Sequence, residues 1–335
     1  MYQISEIHRF KRVFLPRTQH QTVDILTGQV RKGRFLPADY EVGFGMAEEL
    51  NVQEFALGEE ERMRLRGRID RVDVMERGGD LYVKIIDYKS GQTKFSLLSL
   101  YHGLQLQLVV YLNAAMELMR RRRQEGDVLP AGIFYYHVDE PVLETEGPVS
   151  EEEIWQGVFE KLRLDGIVND DPEIFGAMDT DFTDRSDVIP VSRTKSGELS
   201  KTSKAYSTEQ FARISDYVNQ TVTSLGQRIL AGEIAASPYE LRGKTACEWC
   251  GYRSICGFDE RLQGCGYRRL DKSKSEEELL EAMERGAGEA SGQSGGQGRP
   301  AGIARGASEK GGAGQSGFMD GNDRKMPGSA GEEVR

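Results

Sequence analysis

The sequence has no long hydrophobic run. Its most apolar stretch, residues 104–119, is interrupted by Gln105, Gln107, Asn113 and Glu117, so it is too polar to span a bilayer, which argues against a membrane protein. The N-terminal residues are charged and contain no apolar segment of a secretory signal, so we expect a cytoplasmic location. The chain also lacks the Gly-x4-Gly-Lys-[Ser/Thr] phosphate loop, so we expect no ATP hydrolysis by this chain alone.

The chain has no excess of basic residues. Its 335 residues include 44 Lys and Arg against 54 Asp and Glu, a net charge of −10. Residues 286–335 carry six acidic and six basic residues, so the whole negative charge falls on residues 1–285. This balance argues against a protein that coats nucleic acid non-specifically. It remains compatible with an enzyme whose carboxylates hold a cation that faces phosphate.

Residues 286–335 are poor in apolar side chains. They contain 15 of the 39 glycines and a single aromatic residue, Phe318. Such a segment buries too little apolar surface to offset the entropy of ordering it, so we predict a disordered Gly-rich tail.

Hydrophobic periodicity in the remaining residues predicts a mixed α/β sheet flanked by helices. The predicted elements are a helix over 5–33, a strand over 40–44, a hairpin of strands 62–76 and 81–88, a helix over 97–122 and a strand over 131–138. Two further helices are predicted to begin at capping boxes, at Ser150 and Ser207.

The predicted hairpin carries two carboxylates and a lysine. Asp87 and Lys89 lie on one face of their strand because strand side chains alternate, and the hairpin brings Asp70 beside Asp87. Carboxylates suit Mg²⁺ or Mn²⁺, and a cation with an adjacent ammonium suits phosphodiester hydrolysis. Spacing alone leaves a second interpretation open, in which these residues are ordinary exposed strand charges and an ion pair.

The helix after the hairpin places Gln107 and Tyr111 on one face, since they are four residues apart. In order along the chain, the strings GRIDRVD, IDYKSG and YHGLQLQLVVYL resemble the PD-(D/E)XK nuclease module of RecB-type enzymes. Within that group, the sequence is most similar to the AddB subunits of bacterial helicase–nucleases. The resemblance covers roughly residues 5–270 and ends before the Gly-rich tail.

The resemblance implies a restriction-endonuclease-like fold and a DNA exonuclease that acts on the 5′-ended strand in double-strand-break repair. It implies an AddA-like helicase–nuclease subunit as partner and Mg²⁺ or Mn²⁺ as cofactor. Asp70, Asp87 and the Tyr88 carbonyl would bind the metal, with Glu41 as a supporting ligand. Lys89 would be the catalytic lysine, and Gln107 and Tyr111 would contact the site or the DNA.

The sequence departs from the family in two respects. The family places a histidine ligand on a helix well upstream and a further cysteine ligand far upstream, and nothing here matches either, since no cysteine precedes Cys247. AddB subunits are also much longer, so we expect a fragment or a truncated gene. A second function therefore stays open, namely a catalytically weak remnant that binds DNA ends or a partner.

All four cysteines lie near the C-terminus, at Cys247, Cys250, Cys256 and Cys265. In a reducing compartment, clustered cysteines indicate a metal site rather than disulfides, and the spacing suits zinc or an iron–sulfur cluster. The resemblance favours a [4Fe–4S] cluster on the first three, which staples the module together. Cys265 either completes a local four-thiolate site, which would equally suit structural zinc, or is an unpaired bystander.

The resulting domain prediction has four parts. Residues 1–33 form an N-terminal helical segment, and residues 34–246 form the nuclease core with a helical insertion. Residues 247–285 carry the cysteine cluster and a C-terminal helix, and residues 286–335 form the tail.

Overall fold

The computed structural model describes residues 17–45, 54–139, 141–144 and 147–289. Its helices are α1 (Arg17–Lys32), α2 (Leu97–Tyr101), α3 (Gln107–Arg122), α4 (Glu151–Lys161), α5 (Pro172–Gly176), α6 (Thr208–Leu230), α7 (Arg253–Cys256) and α8 (Glu276–Glu289). Its strands are β1 (Leu36–Phe44), β2 (Glu54–Ala56), β3 (Arg62–Arg64), β4 (Gly67–Arg77), β5 (Asp80–Lys89), β6 (Val128–His137), β7 (Asp165–Asn169), β8 (Ala205–Tyr206), β9 (Tyr239–Leu241), β10 (Lys244–Thr245) and β11 (Arg268–Arg269).

The central sheet has six strands in the order β1-β4-β5-β6-β7-β8. The pairs β5–β6 and β7–β8 are parallel and the other pairs are antiparallel. Strands β4 and β5 form the predicted hairpin. Their two-residue turn is Gly78-Gly79, and both glycines have positive φ, which side chains rarely tolerate and which suits the twist of a tight hairpin.

Both faces of this sheet carry apolar side chains, and helices cover both faces. One face packs against α2, α3, α6 and α8, with Leu108 and Leu112 of α3 fully buried. The other face packs against α1, α4, α5 and the segment 188–191. Ile25 and Phe159 are buried in this second core. The predicted α/β fold with a mixed sheet between helices is confirmed.

Several predicted boundaries are wrong in detail. The helix over 97–122 is two helices, because the chain turns at Gly103, where φ is +77°. The strand over 62–76 is also two strands, because β3 pairs with β2 while β4 joins the central sheet. Helix α8 extends to Glu289, into the predicted tail.

The helix starts at Ser150 and Ser207 agree with the sequence prediction. Both capping boxes form: Ser150 accepts from Glu153 N at 3.2 Å, and Ser207 accepts from Gln210 N at 3.2 Å. Residues 5–16 of the predicted first helix and the predicted tail beyond Glu289 lie outside the described residues. None of the described helices is long and apolar enough to cross a membrane. The four-part domain division stays a prediction.

A cluster of three charged side chains is buried within the sheet, between β4 and β5. Asp73 accepts from the Arg71 guanidinium at 2.6 and 2.8 Å, and Lys84 Nζ lies 2.9 Å from Asp73 Oδ2. Burial alone would raise the pKa of Asp73, but the charges of Lys84 and Arg71 hold it below its usual value. The sequence analysis missed this cluster, because in the sequence its members look like ordinary strand charges.

We expect Asp73→Asn to cost about 3–5 kcal/mol of unfolding free energy at neutral pH, because it leaves two buried cations without their partner. The pKa of Asp73 is depressed in the folded state. Its contribution is therefore complete above the unfolded pKa of about 3.9 and is lost as pH falls through the lower folded pKa. Urea unfolding across pH measures both effects.

The matched control is Asp39→Asn. Asp39 pairs with Arg122 at 2.5 Å at a half-exposed position, where an ion pair contributes less than about 1 kcal/mol. Equal losses in the two variants would contradict the structural role of the buried cluster.

Candidate active site

The register between β4 and β5 brings Asp70 and Asp87 together. Arg71 pairs with Ile86, so the next positions outward on the two antiparallel strands are Asp70 and Asp87. A hydrogen bond fixes this end of the hairpin, since the Tyr88 backbone N–H donates to Asp70 Oδ2 at 2.8 Å. Two carboxylates therefore meet where the strands leave the core.

Lys89 connects the hairpin to helix α3. Its Nζ lies 2.7 Å from Asp87 Oδ2 and donates to Gln107 Oε1 at 2.9 Å. Gln107 Nε2 in turn donates to Tyr111 Oη at 2.9 Å, one turn further along the helix. The structure thus links four of the predicted catalytic residues, Asp87, Lys89, Gln107 and Tyr111, into one polar chain, and the fifth, Asp70, lies beside it on the Tyr88 N–H.

The Asp87 carboxylate is buried, with the residue only 2% exposed. Burial raises the pKa of Asp87, the Lys89 ammonium lowers it and the neighbouring Asp70 charge raises it, so the net shift is upward. The Lys89 ammonium, 2.7 Å from Oδ2, offsets part of the cost of burying this carboxylate.

Tyr88 lies between Asp87 and Lys89, and its side chain is held by contacts on the opposite face of the sheet. The phenol of Tyr88 contacts the buried Arg71 guanidinium through a hydrogen bond, and its ring packs edge-on against Tyr136 at 5.9 Å. Since the Tyr88 N–H binds Asp70, the buried cluster behind the sheet restrains the peptide that links Asp87 to Lys89.

Aromatic residues that the sequence analysis did not select complete the walls of the site. The Lys89 ammonium lies 5.3 Å from the centre of the Tyr135 ring. Burial, together with the charges of Asp87 and Asp165, raises the pKa of Tyr135 to about 12, so its phenol is neutral at physiological pH. Phe44 packs edge-on against Tyr111 at 5.8 Å. Their spacing in the sequence carries no signal, because they come from separate elements.

Glu41, the predicted supporting ligand, lies at the edge of the sheet. Its Oε2 is 2.9 Å from Arg68 Nε, and its side chain is 60% exposed. Its backbone has φ of +53°, which is rare for a residue with a side chain. The structure shows an ion pair at this position, and a role in metal binding stays a prediction.

The oxygen donors of the site suit a hard divalent cation. Mg²⁺ typically uses one or two carboxylates and keeps several waters, and a cation would offset the repulsion between the neighbouring Asp70 and Asp87 carboxylates. Asp70, Asp87 and the Tyr88 carbonyl are the groups that would hold it. Within the described ranges, no three His, Cys, Asp or Glu side chains converge as a metal site, so two carboxylates are the protein's acidic contribution here.

The four cysteines do not form the predicted staple in the described structure. All are free thiols; Cys250 and Cys256 are exposed, and Cys247 and Cys265 are partly exposed. Cys247 accepts a hydrogen bond from Tyr267, which raises the pKa of that phenol. The donor chemistry suits zinc or iron, but thiolates repel one another and gain from convergence only around an ion. A cysteine-ligated centre is therefore not confirmed.

Comparison with known proteins agrees with this geometry. Residues 9–257 match the PD-(D/E)XK nuclease superfamily, a range that contains the whole hairpin, helix α3 and the first three cysteines. The chain belongs to the PD-(D/E)XK nuclease superfamily. Its core strands are consequently those of a nuclease domain of this superfamily.

Individual relatives share one name, which describes each of them as a subunit of an ATP-dependent helicase/deoxyribonuclease. The protein from Lachnoclostridium phytofermentans is 37% identical over 270 residues, which are 78% of this chain and 22% of the relative. That from Thermoanaerobacter sp. (strain X514) is 35% identical over 263 residues, 78% and 23%. That from Clostridioides difficile is 35% identical over 283 residues, 83% and 24%. The chain spans about a quarter of the length of these relatives.

We expect Gly67→Ala to lower DNA hydrolysis by about tenfold to 100-fold, because small displacements of catalytic groups carry large rate penalties. A Cβ at Gly67 would lie 2.5 Å from Phe44 Cζ and 3.2 Å from Tyr111 Cε1. It therefore displaces the Tyr111 ring, which anchors Gln107. Single-turnover cleavage of single-stranded DNA measures the effect.

Gly43→Ala is the matched control, since a Cβ at Gly43 meets no atom within 4 Å. We expect this variant to cleave at the parent rate. Equal activity of the two variants would show that the Phe44–Tyr111 contact does not position the polar chain.

Proposed function

We propose that this domain is a divalent-metal-dependent deoxyribonuclease that hydrolyses phosphodiester bonds. The observation that carries the proposal is the convergence of Asp70, Asp87 and Lys89 at the end of one hairpin, with Lys89 bonded to Gln107 of the covering helix. Two facing carboxylates with an ammonium 2.7 Å from one of them are the groups that phosphodiester hydrolysis requires.

Each residue has a separate task in this proposal. Asp70 and Asp87 bind the cation together with the Tyr88 carbonyl. Lys89 places its ammonium where the attacking water and the phosphate oxygens meet, and Gln107 and Tyr111 keep that ammonium in place. A bound Mg²⁺ or Mn²⁺ supplies an activated water and offsets negative charge on the phosphate.

The finer assignment rests on the relatives. Their name describes a subunit of an ATP-dependent helicase/deoxyribonuclease, and the chain lacks a phosphate loop of its own. From the resemblance of its motifs to those of AddB subunits, we propose an exonuclease that acts on the 5′-ended strand in recombinational break repair. Its partner would be an AddA-like helicase–nuclease subunit, and the location would be the cytoplasm.

We expect Lys89→Ala to reduce the hydrolysis of end-labelled linear single-stranded DNA by about 10²–10³-fold, the usual cost of removing one electrostatic stabiliser. Asp87→Ala should abolish cutting, and EDTA should abolish cutting by the parent. The matched control is Lys272→Ala, an exposed lysine outside the site.

Cutting by the folded parent that Lys89→Ala and Asp87→Ala leave intact would refute this assignment of the site. Absence of Mg²⁺-dependent cutting by the folded parent would favour the alternative function, a remnant that binds DNA ends or a partner.

We propose that Cys247, Cys250 and Cys256 ligate a [4Fe–4S] cluster with a structural role. The matched superfamily range contains these three thiols and ends before Cys265. We expect anaerobically purified protein to be brown and to contain iron. Cys250→Ser should remove the colour and lower the melting temperature, and Cys265→Ser should leave both unchanged. Colourless protein with stoichiometric zinc, or with no metal, would overturn the proposal.

A further inference from the structure

A cavity of about 570 Å³ opens where β6 ends and β7 begins, and its walls carry a concentration of basic side chains. The wall is formed by the loop after β5, the end of α4 and the segment before β8. Its basic and imidazole residues are Lys94, His137, Lys161, Arg163, Arg185 and Lys204. The acidic residues of the wall are Glu160 and Asp165.

Strand pairing joins this cavity to the candidate active site. On neighbouring parallel strands, Asp87 pairs with Tyr135 and Lys89 pairs with His137. Tyr135 pairs in turn with Asp165 on β7, whose carboxylate faces Lys204 Nζ at 3.2 Å. The row of paired residues that starts at Asp87 therefore continues across the sheet into the basic wall of the cavity.

The loop between β5 and α2 makes a second connection. It leaves the sheet directly after Lys89 and reaches the cavity at Lys94. Its Gly91 carbonyl accepts from His137 Nδ1 at 2.8 Å, which ties this loop to the end of β6.

The charge in this cavity is only partly neutralised. Arg185 pairs with Glu160 at 3.1 Å and Lys204 pairs with Asp165 at 3.2 Å. Lys94, Lys161 and Arg163 form no ion pair with any acidic residue that the structure describes; Lys161 and Arg163 donate only to backbone carbonyls. Burial and then the charge of Arg185 lower the pKa of Arg163. Crowded cations in a chain of net charge −10 indicate a local site for an anion.

We propose that this cavity binds the phosphate backbone of the single DNA strand on which the neighbouring carboxylates act. The inference rests on the proposed nuclease function and adds the path of the substrate to it. A volume of about 570 Å³ is that of a site for a nucleotide-sized group.

Salt-dependent binding tests this proposal without any hydrolysis. Lys94→Ala/Lys161→Ala removes two exposed cations from the cavity, and Lys195→Ala/Lys272→Ala removes two exposed cations elsewhere, so the two variants have equal net charge. Anisotropy of a fluorescent oligothymidylate is measured in EDTA over a range of NaCl concentrations.

Each phosphate contact contributes about 0.7 to the slope of log K against log salt for single strands. We expect the cavity variant to lose about 1.4 of that slope and to bind on the order of tenfold more weakly near 0.1 M salt. We expect the control variant to retain the parent slope. Equal slopes in the two variants would overturn the proposal.

A second substrate separates this proposal from the nuclease function. The p-nitrophenyl ester of thymidine 5′-phosphate carries a single phosphate, so it has no further phosphate to place in the cavity. We expect the cavity variant to hydrolyse it at the parent rate while its KM for oligothymidylate rises and its kcat is kept. Loss of both activities in the variant would show a general structural defect and contradict the proposal. A parent that cuts neither substrate would refute the nuclease function, while the binding slopes still decide whether the cavity holds the strand.

Discussion

The antiparallel register of β4 against β5 is the constraint on which the site depends. It places Asp70 opposite Asp87 on one face of the sheet and Asp73 opposite Lys84 on the other. A shift of one residue would move every side chain of a strand to the opposite face. Asp70 and Asp87 would then enter one core and the buried ion cluster would enter the other. The Gly78-Gly79 turn and the apolar side chains on both faces resist that shift.

The two faces of the hairpin therefore have different roles, and Tyr88 links them. Behind the sheet, the ion cluster is fully enclosed, and its guanidinium binds the Tyr88 phenol. In front of the sheet, the Tyr88 N–H binds Asp70. A buried cluster of charges is an expensive way to gain stability. Here it restrains a peptide on which the proposed chemistry depends, which gives a physical reason for the cluster to be where it is.

Helix α3 completes the site because it begins where the hairpin ends. The break at Gly103 shortens the predicted helix so that Gln107 falls in the first turn, beside Lys89. Buried leucines on the same helix hold it against the sheet. The lysine is thus bonded to a packed helix rather than to a loop. The same row of strands leads away from the site to the basic cavity.

Motifs that are local in the chain could be predicted from the sequence. The Asp-x-Lys alternation, the Gly-Gly turn, the capping boxes at Ser150 and Ser207 and the four-residue spacing of Gln107 and Tyr111 each depend on backbone geometry over a few residues. The register of the hairpin followed from its turn. These features identified the fold class and predicted which candidate site residues lie together, because neighbouring residues of a hairpin stay neighbours in space.

Only the tertiary structure decided which charges are buried and which are exposed. Arg71 and Asp73 lie in the same string as Asp70, yet they face a core that α1 and α4 supply from distant parts of the chain. Glu41 lies on an edge strand, where it finds Arg68 instead of a core. Tyr135 and the cavity cations are brought to the site by strand order. Strand order is set by which apolar faces pack together, and that is a property of the whole chain rather than of any motif within it.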